Sequence, residues 1–536
     1  FNTGSGDTLY DHSGNANHGD INGAAWNVPL TYVPDDNFEQ ALIDLGYDGV
    51  LDNYVVTDSI NTVTYLNVSN DSISDLTGIE DFSALTDLIC DHNQLTSLDV
   101  SSNTALTTLK CESNYPGITN LDVSSNTALT VLICFYNSMD TLNLGTTTAL
   151  TTLDCAHNEL TTLDVSNHTT LTVLRCYDNE LATLDVSFNT ALTELQCFAN
   201  QLDTLDISNN TSLTYLECRN NQLTSLDVSN NTVLTDLYTH NNSLSSLDVS
   251  NNTALTGLGC NNNGLTSLDI SNNTSLTVLG CRNNQLDTLD VSNNTALTNL
   301  YCDGNQLTAL DISNNTLLEK LWSYGNSLTS LDISSHTALT ELQCHGNQLT
   351  ALDVSNNTLL VRLECYNNSL TSLNVSNNTA LYLLWCYNNQ LTYLNMKNGL
   401  TDQLTYFAAT NNPDLTCIET LDPDYATENW TYENGDIDEG VSFAEDCTPG
   451  YTYVPDDNFE QALIDLGFDD TLDNFVVTDS INSVTVLNVS NDSISNLTGI
   501  EDFTNLRNLH AQSNQLTTVD LTNNDSLELL QLHENS

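Results

Sequence analysis

The chain has 536 residues, 39% of them hydrophobic, with 8 Lys and Arg against 70 Asp and Glu, a formal net charge of -62. A field of that sign repels a nucleic-acid duplex and an anionic membrane surface, so the sequence predicts neither as a partner. No run approaches the ~18 to 20 apolar residues of a spanning helix, which leaves no membrane insertion in this segment.

Residues 1–30, "FNTGSGDTLYDHSGNANHGDINGAAWNVPL", set Gly, Asn and Asp turns around short alternating runs. Through "YDHSGNANHGDINGAAW" they resemble a fragment of a laminin-G-like or concanavalin-like jelly roll, too short to fold as that sandwich. The start on Phe1 and the abrupt end at "LELLQLHENS" read as a piece of a longer protein, with targeting and anchoring segments out of view.

Residues 31–85 open with "TYVPDDNFEQALIDLGYDG", and 452–506 repeat them almost verbatim. Asp36 and Glu39 have capping-box spacing, Phe38, Leu42 and Leu45 form one apolar stripe, and Gly46 can end the helix. The segment reads as a small helical cap. Between the copies Tyr47 becomes Phe468 and Tyr54 becomes Phe475, so the ring matters and the hydroxyl does not.

From 86 to 412 one unit recurs, LxxLxCxxNxLxxLDVSxNTxL, with cysteine at 90, 111, 134, 155, 176, 197, 218, 260, 281, 302, 344, 365 and 386. Thr239 and Ser323 occupy the two gaps and Ala409 the next coil, so the slot asks only for a small buried side chain. "ESNYPGITNL" adds two residues near Tyr115 and Pro116, a loop bulge that leaves the phase intact. This pattern is similar to the leucine-rich repeat family, specifically its short nested bacterial class. The resemblance implies a mainly β solenoid with a parallel sheet on a concave face and a short strand or turn on the opposite face.

Each column has a structural reading. The Asn sampled by Asn93, Asn158, Asn221, Asn284 and Asn347 can bond the turn backbone of its own and the adjacent coil. Coils stacked about 4.8 Å apart with parallel Cβ vectors disfavour both disulfides and metal in the cysteine column, leaving free buried thiols. Cys417 and Cys447 lie outside that phase, in a segment 413–450 read as a C-terminal cap and linker, and are expected to pair. Residues 451–536 read as the cap and first repeats of a second array.

Catalysis has little support. The Asp column (Asp99, Asp122, Asp164, Asp185, Asp206, Asp227 and onward) offers identical carboxylates, whereas acid–base work needs two different environments; Asn143, Asn374 and Asn395 interrupt it, so turn capping is the better reading. His92, His157, His240 and His345 never cluster at metal-ligand spacing, and no GxSxG, Walker or HExxH pattern occurs. The sequence predicts no enzyme, no cofactor and no metal. Asn-x-Thr, as at Asn230 and Asn251, arises from the NNT turn.

The varying columns flank the cysteine. Positions three before, one before and one after it point outward, because side chains alternate across a strand. They hold Lys110, Arg175, Arg219, Arg282, Lys320 and Arg362, six of the eight basic residues. They also hold Phe135, Tyr177, Phe198, Tyr215, Tyr238, Tyr301, Trp322, Tyr324, Tyr366, Trp385 and Tyr387. Binding surfaces are enriched in Tyr, Trp and Arg. The expectation is an extracellular or cell-surface recognition module whose concave face binds a protein or glycan. There the aromatics from Tyr301 to Tyr387 form the centre, and the upstream arginines serve as polar anchors. The alternative is a structural spacer, including an ice-binding-like surface built from stacked Thr.

Overall fold

Leu and Cys two residues apart share one side of a strand, and a chain that buries such a pair every 21 residues stacks strand upon strand. The computed structural model shows that arrangement; it describes residues 8–9, 19–20, 28–447, 450–472 and 474–535. These fall into two units, Phe1–Leu328 and Thr329–Ser536. The fragment expected to resemble a jelly roll lies largely outside the described residues.

In the first unit, strand Leu30–Tyr32 pairs antiparallel with Tyr54–Val56, and helix Asp36–Asp44 packs Phe38 and Leu42 beneath them with no exposed surface. The cap differs from the spacing argument by one residue. Asp35, not Asp36, is the N-cap: one of its carboxylate oxygens accepts from Asn37 N and Phe38 N at 3.0 Å, and the other accepts from Ser74 N, Ser74 Oγ and Asp75 N. Burial works against ionising this carboxyl, but the hydrogen bonds from Ser74, Phe38 and Asn37 outweigh it and lower its pKa. Glu39 is fully buried and turns away from the helix end to accept from Asp52 N and Tyr54 N at 2.9 and 3.1 Å. Leu45, read as core, is 46% exposed because the helix has already ended at Asp44.

Three-residue parallel strands follow, from Tyr65–Asn67 through Asp87–Ile89, Thr108–Lys110 and Val131–Ile133 to Lys320–Trp322. Their central leucines stay in register, Leu66 to Leu88 to Leu109 to Leu132 and onward. The two extra residues near Tyr115 loop outward, with Tyr115 83% exposed, and leave Leu109 opposite Leu132. A short second ladder, Asn120–Asp122 with Thr141–Asn143, supplies strand on the opposite face.

The second unit continues with Glu341–Gln343, Arg362–Glu364, Leu383–Trp385 and Tyr406–Ala408 as one parallel sheet. Ser372–Asn374, Tyr393–Asn395, Cys417–Glu419 and Ser442–Ala444 form another. Helix Pro423–Asn429 lies within this terminal region, where Cys417 and Cys447 form a disulfide. Lys397 Nζ sits 2.9 Å from both Glu419 and Asp446. Further on, helix Asp457–Asp465 with N-cap Asp456 repeats the first cap, and Val486–Asn488, Asn508–His510 and Leu529–Gln531 start a new parallel ladder.

Candidate functional site

The thirteen in-phase cysteines are free thiols with no exposed surface. Thr239 and Ser323 are equally buried and Ala409 is 1% exposed in the same slot. Burial disfavours the thiolate and holds Cys218, Cys260, Cys344 and Cys386 up to about 12. A row of neutral thiols thus forms the floor under the strands, and the residues flanking each thiol emerge on the other side.

Those flanking side chains are half-buried, because they pack on one another along the stack. In the first unit Tyr177 and Phe198 lie ring on ring, centroids 4.2 Å apart and planes 9° from parallel. The Arg219 guanidinium covers Phe198 at 4.0 Å, so both faces of that ring are occupied. Upstream, Tyr136 stacks on His157 at 3.9 Å, and His157 bonds Asp178. Tyr215 and Tyr238 are tilted neighbours at 5.8 Å; their hydroxyls donate to Glu217 and Asp236, and burial raises both phenol pKa values. Tyr301 meets Trp322 edge-on at 4.8 Å. In the second unit Tyr366 is held between His345 at 4.1 Å and Tyr387 at 4.4 Å, all nearly parallel, with Trp385 edge-on to Tyr366. Burial and the nearby Arg362 push His345 down to about 4. Each such pair contributes ~0.5–1.5 kcal/mol beyond its buried area.

The arginines of this face are ion-paired within the chain. Arg175 pairs with Glu194 at 2.8 Å and approaches Asp154 at 3.8 Å. Arg219 pairs with Glu217 and Arg362 with Glu364. Arg282 Nε lies 2.8 Å from Asp303, a carboxylate with no exposed surface; its Nη2 donates to the Tyr324 hydroxyl at 2.7 Å, and its guanidinium sits 5.0 Å from the Trp322 ring. Burial raises the Asp303 pKa, and Arg282 opposes that shift. Each of these four guanidinium groups finds a carboxylate, and Arg219 and Arg282 also lie over aromatic rings.

The remaining columns are structural. Asp164 and Asp185 each accept from the amide two residues on at 2.9 Å, and bonds from that serine hold their pKa values low. Asn158 donates to Cys134 O, Cys155 O and Ala156 O while its Oδ1 accepts from Met139 N. A second asparagine ladder was not foreseen: in each NNT turn the second Asn is buried, as where Asn231 donates to Ile207 O and Asn210 O. Thr147, His168 and His336 take its place in three coils, and Thr147 and His168 bond each other. Two residues after the cysteine slot lies a left-handed position, with φ 51° at His157, 53° at Asn220 and 57° at Asn241; Asn and Gly are its commonest residues, although Ser113, Tyr136, Asp178 and Ala199 also adopt it. Thr193, Thr214 and Thr235 donate their hydroxyls to carbonyls of the preceding coil at 3.0–3.1 Å. Among the described residues no group of three His, Cys, Asp or Glu could hold a metal ion, and no helix is long and apolar enough to cross a membrane.

Compared with known proteins, the structure is similar to the functional domain of InlJ from Listeria monocytogenes, which includes a cysteine ladder. The TM-score is 0.60 at 36% identity, over 71% of this chain and 82% of that one. An InlF structure from Listeria monocytogenes superposes with TM-score 0.53 at 24% identity, over 60% and 97% of the two chains. A leucine-rich repeat protein of Leptospira interrogans gives 0.53 at 23% identity, over 68% and 91%; these two show the fold alone. In sequence, 73 residues are 40% identical to internalin J of Listeria monocytogenes serotype 4b, 14% of this chain and only 8% of that protein's length. The LVIVD repeat family matches residues 258–283.

Proposed function

Because the chain belongs to the internalin-type leucine-rich repeat proteins of bacteria, we propose that it is a non-enzymatic recognition module that binds a protein along its strand face, outside the cell or at its surface. The observation that carries protein over glycan is the state of the rings. A sugar stacks on an open aromatic face, but here Phe198 lies between Tyr177 and Arg219, and Tyr366 between His345 and Tyr387. Partners meet ring edges and hydroxyls interleaved with paired charges, a surface of the composition that protein interfaces use. The charge pairs add discrimination: a partner must match fixed positions of Arg and carboxylate or leave charges unpaired.

Surface location is supported by the Cys417–Cys447 disulfide, which belongs to oxidising compartments, and by the family. The test is a parallel screen of the full chain against purified extracellular proteins and against a glycan array. Saturable binding to a protein, abolished by substitutions on the strand face, supports the reading. Saturable binding to a glycan with none to protein overturns it.

A further inference from the structure

Beside the disulfide-bonded end of the second unit lies a cavity of about 400 Å³, lined chiefly by Asp402, Gln403, Tyr425, Asn429, Asn434 and Asp436. Its walls are fixed. Trp430 behind it packs on Phe407 at 4.6 Å and on Phe443 at 5.8 Å, and the loop carrying Asp436 is tied down by Ala409 N to Asp436 O at 2.7 Å and Asp436 N to Thr431 O at 3.0 Å.

Donors and acceptors here are unequal. The Asn429 amide donates to Tyr425 O at 2.9 Å, that of Asn434 to Asn429 O at 3.4 Å and that of Gln403 to Asp402 at 3.4 Å. Each side-chain NH₂ thus places one of its two hydrogens within the protein, and the amide oxygens add to the carboxylates as acceptors. Asp436 gives one oxygen to Thr431 N and keeps the other. The lining contains no Lys, Arg or His. A divalent ion needs about six to eight close oxygens, and no trio of acidic, His or Cys side chains among the described residues could hold one.

We propose that this cavity binds an alkylammonium group, the head of a lysine side chain or of a free polyamine. Three N–H donors meet carboxylate and amide oxygens, and Tyr425 provides an aromatic wall of the kind that attracts organic cations. The field of a chain with net charge -62 concentrates such cations around it. The site stands on its own geometry and does not depend on the strand face.

Calorimetry on the full chain tests it with Nα-acetyl-lysine methylamide, cadaverine, the Nε-acetylated lysine amide and methyl glucoside. Binding of the lysine amide at one site, at least about tenfold tighter than its Nε-acetylated form and lost in Asp402→Asn, supports the proposal. Asp402 is exposed, so that variant should fold as the parent does, which thermal denaturation checks. Cadaverine binding without the lysine amide also supports the ammonium site and assigns a free polyamine as its source. No binding of either amine, equal binding of the acetylated amide or glucoside, an unchanged Asp402→Asn variant, or displacement of the amine by millimolar Ca²⁺ each overturns it.

Discussion

Raising the pH should break this protein through its buried thiols. An unfolded cysteine ionises near 8.5, whereas burial holds the array thiols far higher, about 12 for Cys218 and Cys260. The folded value is the raised one, so the contribution to stability is full below about 8.5 and is lost as pH climbs toward the folded value. At pH 10 each thiol costs roughly 1.5 pKa units, or ~2 kcal/mol. Cys90, Cys111, Cys134, Cys155, Cys176, Cys197, Cys218, Cys260, Cys281 and Cys302 all lie in the first unit. Their sum, ~20 kcal/mol, exceeds the usual ~5–15 kcal/mol of a folded domain. The second unit has three buried free thiols, Cys344, Cys365 and Cys386, and should yield later. The triple substitution Cys176→Ala, Cys197→Ala, Cys218→Ala isolates this effect from tyrosine ionisation, and the slot already accepts Ala409. At pH 7 the variant should be less stable by ~1 kcal/mol per site for lost packing; at pH 10 it escapes ~6 kcal/mol of penalty. Urea denaturation followed by circular dichroism in oxygen-free buffer should show the two stability curves crossing near pH ~9. If the difference between parent and variant is the same at pH 7 and pH 10, the thiols are not buried as described.

Three further outcomes follow from particular contacts. Asp35→Ala removes the helix cap and the bonds to Ser74 and Asp75; it should cost ~2 kcal/mol and speed amide exchange in residues 36–44 before the coils respond. Asn158→Ala leaves the Met139 amide and three carbonyls short of their partner, and should lower stability by ~2–4 kcal/mol in chemical denaturation. Arg282→Ala strands the buried Asp303 carboxylate and should cost ~3–5 kcal/mol at pH 7. Losing the guanidinium raises the Asp303 pKa further, so the loss should shrink as pH falls and the group protonates, visible as convergence of parent and variant midpoints toward pH 5.

Much of the solenoid could be read from one chain because its signals are backbone periodicities. Leu and Cys two apart fix the strand, a 21-residue phase fixes the stacking, and Thr239, Ser323 and Ala409 define the slot by its tolerance. The outward columns followed from the same alternation. What their side chains do to each other did not, since whether Arg219 reaches forward to a ligand or back onto Phe198 and Glu217 is a matter of rotamer and local charge. The cap slipped by one residue because Asp35 and Asp36 are equally able caps by type, and the contact deciding between them, Ser74, is 39 residues away in sequence. The second Asn ladder and the left-handed column do carry a signal, in the repeated second Asn of NNT and in the Asn and Gly that fill most positions two after the cysteine slot.

The strand face as the recognition surface is tested most directly by one comparison of affinities. For the protein partner found in the screen, the dissociation constant is measured with Tyr177, Tyr238, Tyr301 and Trp322 replaced by Ala, and separately with Thr232, Thr253, Thr274 and Thr295 replaced by Ala. The latter four are exposed, one in each successive NNT turn. The aromatic variant should bind at least about tenfold more weakly, ~1.4 kcal/mol or more, with its β-sheet circular dichroism intact, and the threonine variant should bind as the parent does. Equal loss in both variants, or loss in neither, would contradict the assignment of the strand face.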